Sequence, residues 1–148
     1  VSELFDELSS MLSVDNRFGN IEIITDCPGG KRLYADKQMI YQVLLDLAIN
    51  AAEAMDGRGM IRIGAEPELS QLFVEDSGPG IDEQVYGKIF EPFFTTKESG
   101  SGLGLATVYS IMDAHGGLIE ASKGRMGGAR FDLTFSEKYT QAFAVYSH

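Results

Sequence analysis

Cysteine occurs once in this 148-residue chain, as Cys27, which rules out an internal disulfide and any cysteine-based metal spacing. A reducing, cytoplasmic setting is the expectation that follows. Histidine is nearly as scarce: His115 and His148 are the two present, and they stand too far from other ligand types to make a zinc site. Basic residues number 12 against 22 acidic ones, a net charge of −10. Such a chain repels a phosphodiester backbone, so no nucleic-acid partner is expected. There is no apolar run of membrane-spanning length and no basic-then-apolar opening segment. This domain is therefore expected to make no direct membrane contact, although a longer parent protein can be anchored elsewhere. Repeats and low-complexity tracts are absent as well.

What is present suits one soluble globular domain: 44% hydrophobic and 23% charged residues, in a chain long enough to bury a real core. The expected domain is 1–136, with the unpatterned 137–148 (EKYTQAFAVYSH) read as a loose tail. Leu4, Phe5, Leu8, Met11 and Leu12 recur at helical spacing over 1–13. Asn20 to Asp26 alternates and is β-branched, a strand broken by Pro28-Gly29-Gly30, with 31–35 expected to return beside it as a hairpin. Asp36 is the natural N-cap of a long helix reaching about Met55. Strands follow at 61–65 and 71–75, then a Gly-, Pro- and Ser-rich stretch from Asp76 to Gly102, of a length that is usually functional. A helix at 103–115, capped by Gly116-Gly117, and strands at 118–122 and 129–135 complete the chain. The order predicts helices packed on one face of a mixed sheet.

Four segments carry candidate chemistry. The long helix is apolar around most of its circumference, and only Gln42, Asp46, Asn50 and Glu53 form a narrow polar stripe. A solvated face and a stripe lining a cleft account for it equally well. Asn50 offers a neutral carbonyl oxygen able to ligate Mg²⁺. Asp76-Ser77-Gly78-Pro79-Gly80-Ile81 places a carboxylate at a strand end before two glycines, where a flat base can approach backbone closely. That carboxylate would accept from the adenine amino group and be repelled by the guanine oxygen, though alone the string reads rather as a tight turn with an Asp. Gly100-Ser101-Gly102-Leu103-Gly104-Leu105 opens a helix, where converging N–H groups suit phosphate oxygens; a flexible hinge is the rival. It is neither a dinucleotide fingerprint nor a P-loop. Between them, Phe90-Glu91-Pro92-Phe93-Phe94-Thr95-Thr96-Lys97 reads as a hydrophobic latch followed by a cation for a phosphate.

In this order the four segments resemble the N box (46–55), G1 box (76–81), F box (90–97) and G2 box (100–105) of the histidine-kinase ATPases, the family that shares its fold with gyrase, Hsp90 and MutL. The FEPFFTTK string and the short lid before GSGLGL resemble the nitrogen-regulation subtype. The resemblance implies a two-layer α/β sandwich of the Bergerat type, with ATP and Mg²⁺ as cofactors. It implies that Asn50 holds Mg²⁺, Asp76 reads adenine, Gly78 and Gly80 admit the base, and Gly102, Leu103, Gly104 and Leu105 bind phosphates with Lys97 assisting. Glu53, Ala54, Ile81, Thr96 and Ser101 complete the implied nucleotide pocket. Asp46 stands where gyrase-like relatives carry a water-activating Glu and is a candidate base or ligand of a metal-bound water, with a solvated helix residue as the alternative. Ala129 replaces a Thr common in related strands. His115 matches a family position unrelated to phosphorylation and is expected to pack or cap there. The phosphoacceptor histidine is thus expected on a separate dimerization domain of the same parent kinase, with a response regulator receiver domain downstream. An ATP-hydrolysing conformational protein and a non-catalytic nucleotide sensor are the alternatives.

Overall fold

The structure, a computed structural model, describes residues 2–27, 35–66, 69–92 and 104–135. Helix α1 spans Ser2–Ser13, α2 Lys37–Ala54 and α3 Gly104–Ala114; the strands are β1 Asn20–Asp26, β2 Arg58–Glu66, β3 Gln71–Asp76, β4 Leu118–Lys123 and β5 Ala129–Thr134. Among the described residues, no helix is long and apolar enough to cross a membrane. Val1, residues 28–34 of the expected hairpin, Phe93 to Leu103 and the tail from residue 136 lie outside the described residues.

Local chemistry sets the helix ends. Asp36 accepts the N–H of Met39 at 3.1 Å, the side-chain cap that an α-helix needs for its orphan donors. α3 stops where Gly116 turns left-handed (φ 64°), with its N–H on the Asp113 carbonyl at 2.9 Å and the Gly117 N–H on Met112 at 2.9 Å. That paired closure is the Schellman arrangement, open to glycine because a Cβ disfavours positive φ.

The strands form one five-stranded mixed sheet in the order β1-β2-β3-β5-β4. β1 runs parallel to β2 with Ile23 opposite Ile61, and every other neighbour is antiparallel. Among the described residues β1 is thus paired with a strand beyond α2; the expected hairpin of 31–35 lies, apart from Ala35 in a bend, outside the described residues.

Alternation divides the sheet into two faces. Ile61 and Ile63 of β2, Leu72 and Val74 of β3, and Phe131 and Leu133 of β5 join one core with Phe5, Leu8 and Leu12 of α1, Val43, Leu44 and Leu47 of α2, and Val108 and Met112 of α3. This is the two-layer α/β sandwich, and each fully buried large apolar side chain stabilises it by about 1.5–3 kcal/mol. On the opposite face Phe73 is also buried, lying under two guanidinium groups: Arg62 at 4.9 Å from the ring centroid and Arg130 at 4.1 Å.

Within the helix layer, α2 and α3 are pinned together at one point. His115, buried just past α3, has Nδ1 2.8 Å from the Ile111 carbonyl, and its Nε2 accepts the Asp36 N–H at 3.3 Å. A carbonyl only accepts and an N–H only donates, so the two partners fix the Nδ1–H tautomer. His115 both packs and caps, as its place in the sequence predicts.

Candidate functional site

α2 buries most of its circumference: Ile40, Val43, Leu44, Leu47, Ala48, Ala51 and Ala52 are all in the core. The stripe left over is the one its sequence marks out. Gln42 and Glu53 are exposed, while Asp46 and Asn50 are half-buried. Gln42 donates its amide to Asp46 Oδ1 at 2.7 Å. Burial raises the Asp46 carboxyl above the usual carboxylate range, and the Gln42 bond only partly offsets this. Glu53 lies near Arg17 and adds to the hold that Asp15 has on that guanidinium. Ala54, the last helical residue, is exposed.

Asp76 ends β3 at the C-terminal end of α2. The loop after it is tied to the sheet edge by Ser77, whose N–H donates to the Met60 carbonyl at 3.0 Å and whose Oγ accepts the Met60 N–H at 2.9 Å. Ser77 Oγ also lies 3.5 Å from Met55 Sδ, so the α2 cap residue and the loop form one surface. Asp76 is 4% exposed, and its Oδ1 accepts the N–H of Gly78 at 2.8 Å and of Ala129 at 3.3 Å. Among the described residues Oδ2 takes no bond and no buried side-chain oxygen lacks a partner, so Oδ2 is the oxygen left accessible. Burial raises the Asp76 carboxyl, and the two backbone bonds work in the other direction. The Ala129 N–H thus reaches the carboxylate directly from a position where a Thr side chain is absent.

Gly128 shows how close the walls are. A Cβ there would fall on Asp76 Oδ1 and the Asp76 carbonyl, closer than real Cβ atoms come, and 2.7 Å from the Gly78 nitrogen. No other residue fits between the β4–β5 turn and Asp76. Gly128 went unremarked in the sequence, where GRMGG reads only as a Gly-rich turn; its signal, a glycine one position before the strand beside Asp76, is visible only once β3 and β5 are paired. Gly80, with φ +81°, faces the same turn: a Cβ placed on it would lie 3.5 Å from the Gly127 carbonyl oxygen. Ile81 packs partly against the core.

After a short 3₁₀ turn at Glu83–Val85, capped by Asp82 on the Gln84 N–H at 2.9 Å, Ile89 enters the core. Phe90 then packs between Tyr109 of α3 (centroids 6.0 Å apart) and Phe131 of β5 (6.2 Å, edge-on). The latch reading holds for Phe90, and plain packing is part of it; Phe93, Phe94, Thr96 and Lys97 lie outside the described residues. At the start of α3, Gly104 is exposed with open space around it, and Leu105 packs partly into the core. Ser101, Gly102 and Leu103 lie outside the described residues.

The described parts of the expected site are therefore the α2 stripe, the Asp76–Ile81 loop with the β4–β5 turn packed on it, and the glycine opening α3. Among the described residues no cluster of three His, Cys, Asp or Glu can hold a metal by itself. A Mg²⁺ that keeps its waters and takes one protein oxygen plus substrate phosphates fits such a site; a protein-caged ion does not.

The family described as histidine kinase-, DNA gyrase B-, and HSP90-like ATPase matches residues 35–139. The signal transduction histidine-protein kinase AtoS of Escherichia coli (strain K12) is 45% identical over 102 residues, 67% of this chain and 17% of AtoS. Nitrogen regulation protein NtrY of Azorhizobium caulinodans is 34% identical over 138 residues, 85% of this chain and 18% of NtrY. The nucleotide-free catalytic domain of histidine kinase ThkA superposes with a TM-score of 0.77 at 36% identity, covering 90% of this chain and 92% of that one. The chain spans under a fifth of the length of these two curated relatives.

Proposed function

The chain belongs to the histidine kinase-, DNA gyrase B- and HSP90-like ATPases, as an ATP-binding catalytic domain of the sensor-kinase kind, and from there we propose how its residues divide the work. The domain binds Mg·ATP in the cleft between α2 and the Asp76 loop. It presents the γ-phosphate to a histidine on a separate dimerization domain of the same parent, and a response regulator receives the phosphoryl group afterwards.

The observation that carries this reading is the split use of the Asp76 carboxylate. Oδ1 is consumed by Gly78 and Ala129, which fixes the group, and Oδ2 is left to accept one donor from the open side. The adenine amino group is such a donor, while guanine would offer an oxygen and be repelled. Gly78, Gly80 and Ile81 admit the ring, and Met55 supplies an apolar floor. Asn50 is the protein ligand for Mg²⁺, with Glu53 and Ala54 beside it on the last turn of α2. Phosphates fall to the N-terminus of α3, where Gly104 and Leu105, with Ser101, Gly102 and Leu103 before them, offer N–H groups at the positive end of the helix dipole. Thr96 and Lys97 complete the phosphate side. Mg²⁺ neutralises charge on the phosphates when bound. The chain's own share is to orient the nucleotide and exclude water, so catalysis is positioning and electrostatics rather than covalent chemistry.

Titration calorimetry with Mg·ATP and Mg·GTP tests this on wild type and Asp76→Asn. Saturable ATP binding with little GTP binding, lost in the variant, is the expected result. No nucleotide binding by the folded protein would end the reading.

A second reading, hydrolysis by an Asp46-activated water, is favoured by one fact: burial raises that carboxyl toward the range of a useful base, four residues before Asn50. Steady ATP turnover that vanishes in Asp46→Asn would establish it, and turnover unchanged by that substitution would dismiss it.

A further inference from the structure

Glu75 stands beside Asp76 on β3 but points to the opposite face of the sheet, and it is 1% exposed. Its Oε1 accepts from Arg62 Nη1 at 2.8 Å, and its Oε2 lies 3.8 Å from Arg130 Nη1. Both arginines have other carboxylates: Asp26 for Arg62 at 2.6 Å, Glu66 for Arg130 at 2.9 Å and Asp132 at 3.0 Å. Oε1 is held by the close ion pair with Arg62. Oε2, at the longer distance from Arg130, also accepts a backbone donor, the N–H of Arg125, at 3.3 Å.

Arg125 is the first central residue of the turn joining β4 to β5. The Gly127 N–H closes it on the Gly124 carbonyl at 3.2 Å, and the Gly124 N–H bonds the Gly128 carbonyl at 2.8 Å. Gly127 has φ +88°, whereas Arg125 and Met126 are not among the residues at positive φ. This is a type I turn followed by a left-handed glycine. Two consecutive carboxylates therefore grip one turn from the two faces of β3. Asp76 takes the Ala129 N–H at its exit, and Glu75 takes the Arg125 N–H near its tip.

We propose that Glu75 is a positioning residue for base selection: by holding the Arg125 N–H it sets how closely Gly128 closes on Asp76, and so how sharply the pocket distinguishes adenine from guanine. The inference rests on the nucleotide reading above. With the turn released, Gly128 can withdraw, Asp76 loses its fixed orientation, and the penalty against a guanine oxygen relaxes.

Arg125→Pro isolates the bond, because proline is favoured at this place in a type I turn yet removes the N–H while leaving Glu75 and both guanidiniums in place. Arg125→Ala keeps the N–H and serves as its control. Titrations with Mg·ATP and Mg·GTP, beside a thermal melt, read the outcome. Arg125→Ala should match wild type. Arg125→Pro should bind Mg·ATP on the order of tenfold more weakly, with a smaller ATP-to-GTP ratio and a melting point close to the control. If Arg125→Pro melts early, Glu75→Gln decides by the same ratio: it keeps the volume and one acceptor for Arg62 and turns an amide NH₂ toward Arg125. An unchanged ratio in a folded variant overturns the proposal while the nucleotide reading stands. A wild type that binds neither nucleotide overturns both.

Discussion

His115 and Asp36, 79 positions apart in sequence, are joined by a hydrogen bond from the Asp36 N–H to His115 Nε2 at 3.3 Å. The other ring nitrogen is committed to Ile111. His115→Phe keeps the bulk and leaves the Ile111 carbonyl its backbone donor, the N–H of residue 115 at 3.1 Å, but strands the part-buried Asp36 N–H. The expected cost is about 1–3 kcal/mol, seen as a lower denaturation midpoint in a melt or urea titration. Because both nitrogens are engaged and the ring is 2% exposed, His115 should also take no label from γ-labelled ATP; rapid labelling at this residue would contradict that.

Asp36 has a second task, since its carboxylate caps α2 through the Met39 N–H. Asp36→Ala leaves its own N–H on His115 and removes only the cap. A loss of about 1 kcal/mol is expected, and Asp36→Asn should recover most of it.

Asp76→Asn separates affinity from stability. Burial raises the Asp76 carboxyl, so the folded chain holds that proton more tightly than the unfolded chain does. Its charge is then a cost at neutral pH, and the cost fades as pH falls through the raised value toward the ordinary 3.8. Asparagine keeps an oxygen for Gly78 and Ala129 without that cost. The variant should melt no lower than wild type at neutral pH while losing ATP. In wild type, ATP affinity should fall on acidification over the same window, as the acceptor on Oδ2 is protonated. Calorimetry across a pH series, with melts beside it, checks both directions.

Gly128→Ala should damage the pocket severely, because its methyl would fall on the Asp76 carboxylate and backbone. Loss of ATP binding together with a depressed melting point is expected. Gly87→Ala is the control: nothing lies within 4 Å of the added carbon and its φ is ordinary, so stability should stay within about 0.5 kcal/mol of wild type.

What the sequence makes legible is what short-range chemistry decides. The Asp36 cap, the Gly116-Gly117 stop and the span of β1 from Asn20 to Asp26 follow from neighbours within a few residues. The polar stripe of α2 likewise emerges from helical period alone. The parallel pairing of β1 with β2 does not, because the two strands are separated by an 18-residue helix and no local signal links them. Glu75 is similarly opaque: in the string LFVED it looks like an ordinary polar residue of an alternating strand, and its burial depends on Arg62, Arg125 and Arg130 brought from three other places. Gly128 has the same character, since its need to be glycine is set by Asp76 on a neighbouring strand.

The one parallel pairing in the sheet has a consequence for how the chain reaches this state. β2 and β3 meet across four intervening residues and β4 and β5 across five, so their first contacts close small loops. The β1–β2 pairing needs the whole of α2 to lie between its two strands, and that larger closure entropy must be met first. The assembly order that chain entropy favours is therefore two local hairpins, their antiparallel union, and only then the edge strand with α1. Damage to β1 should accelerate unfolding more than it slows folding, whereas damage to either hairpin should do the reverse.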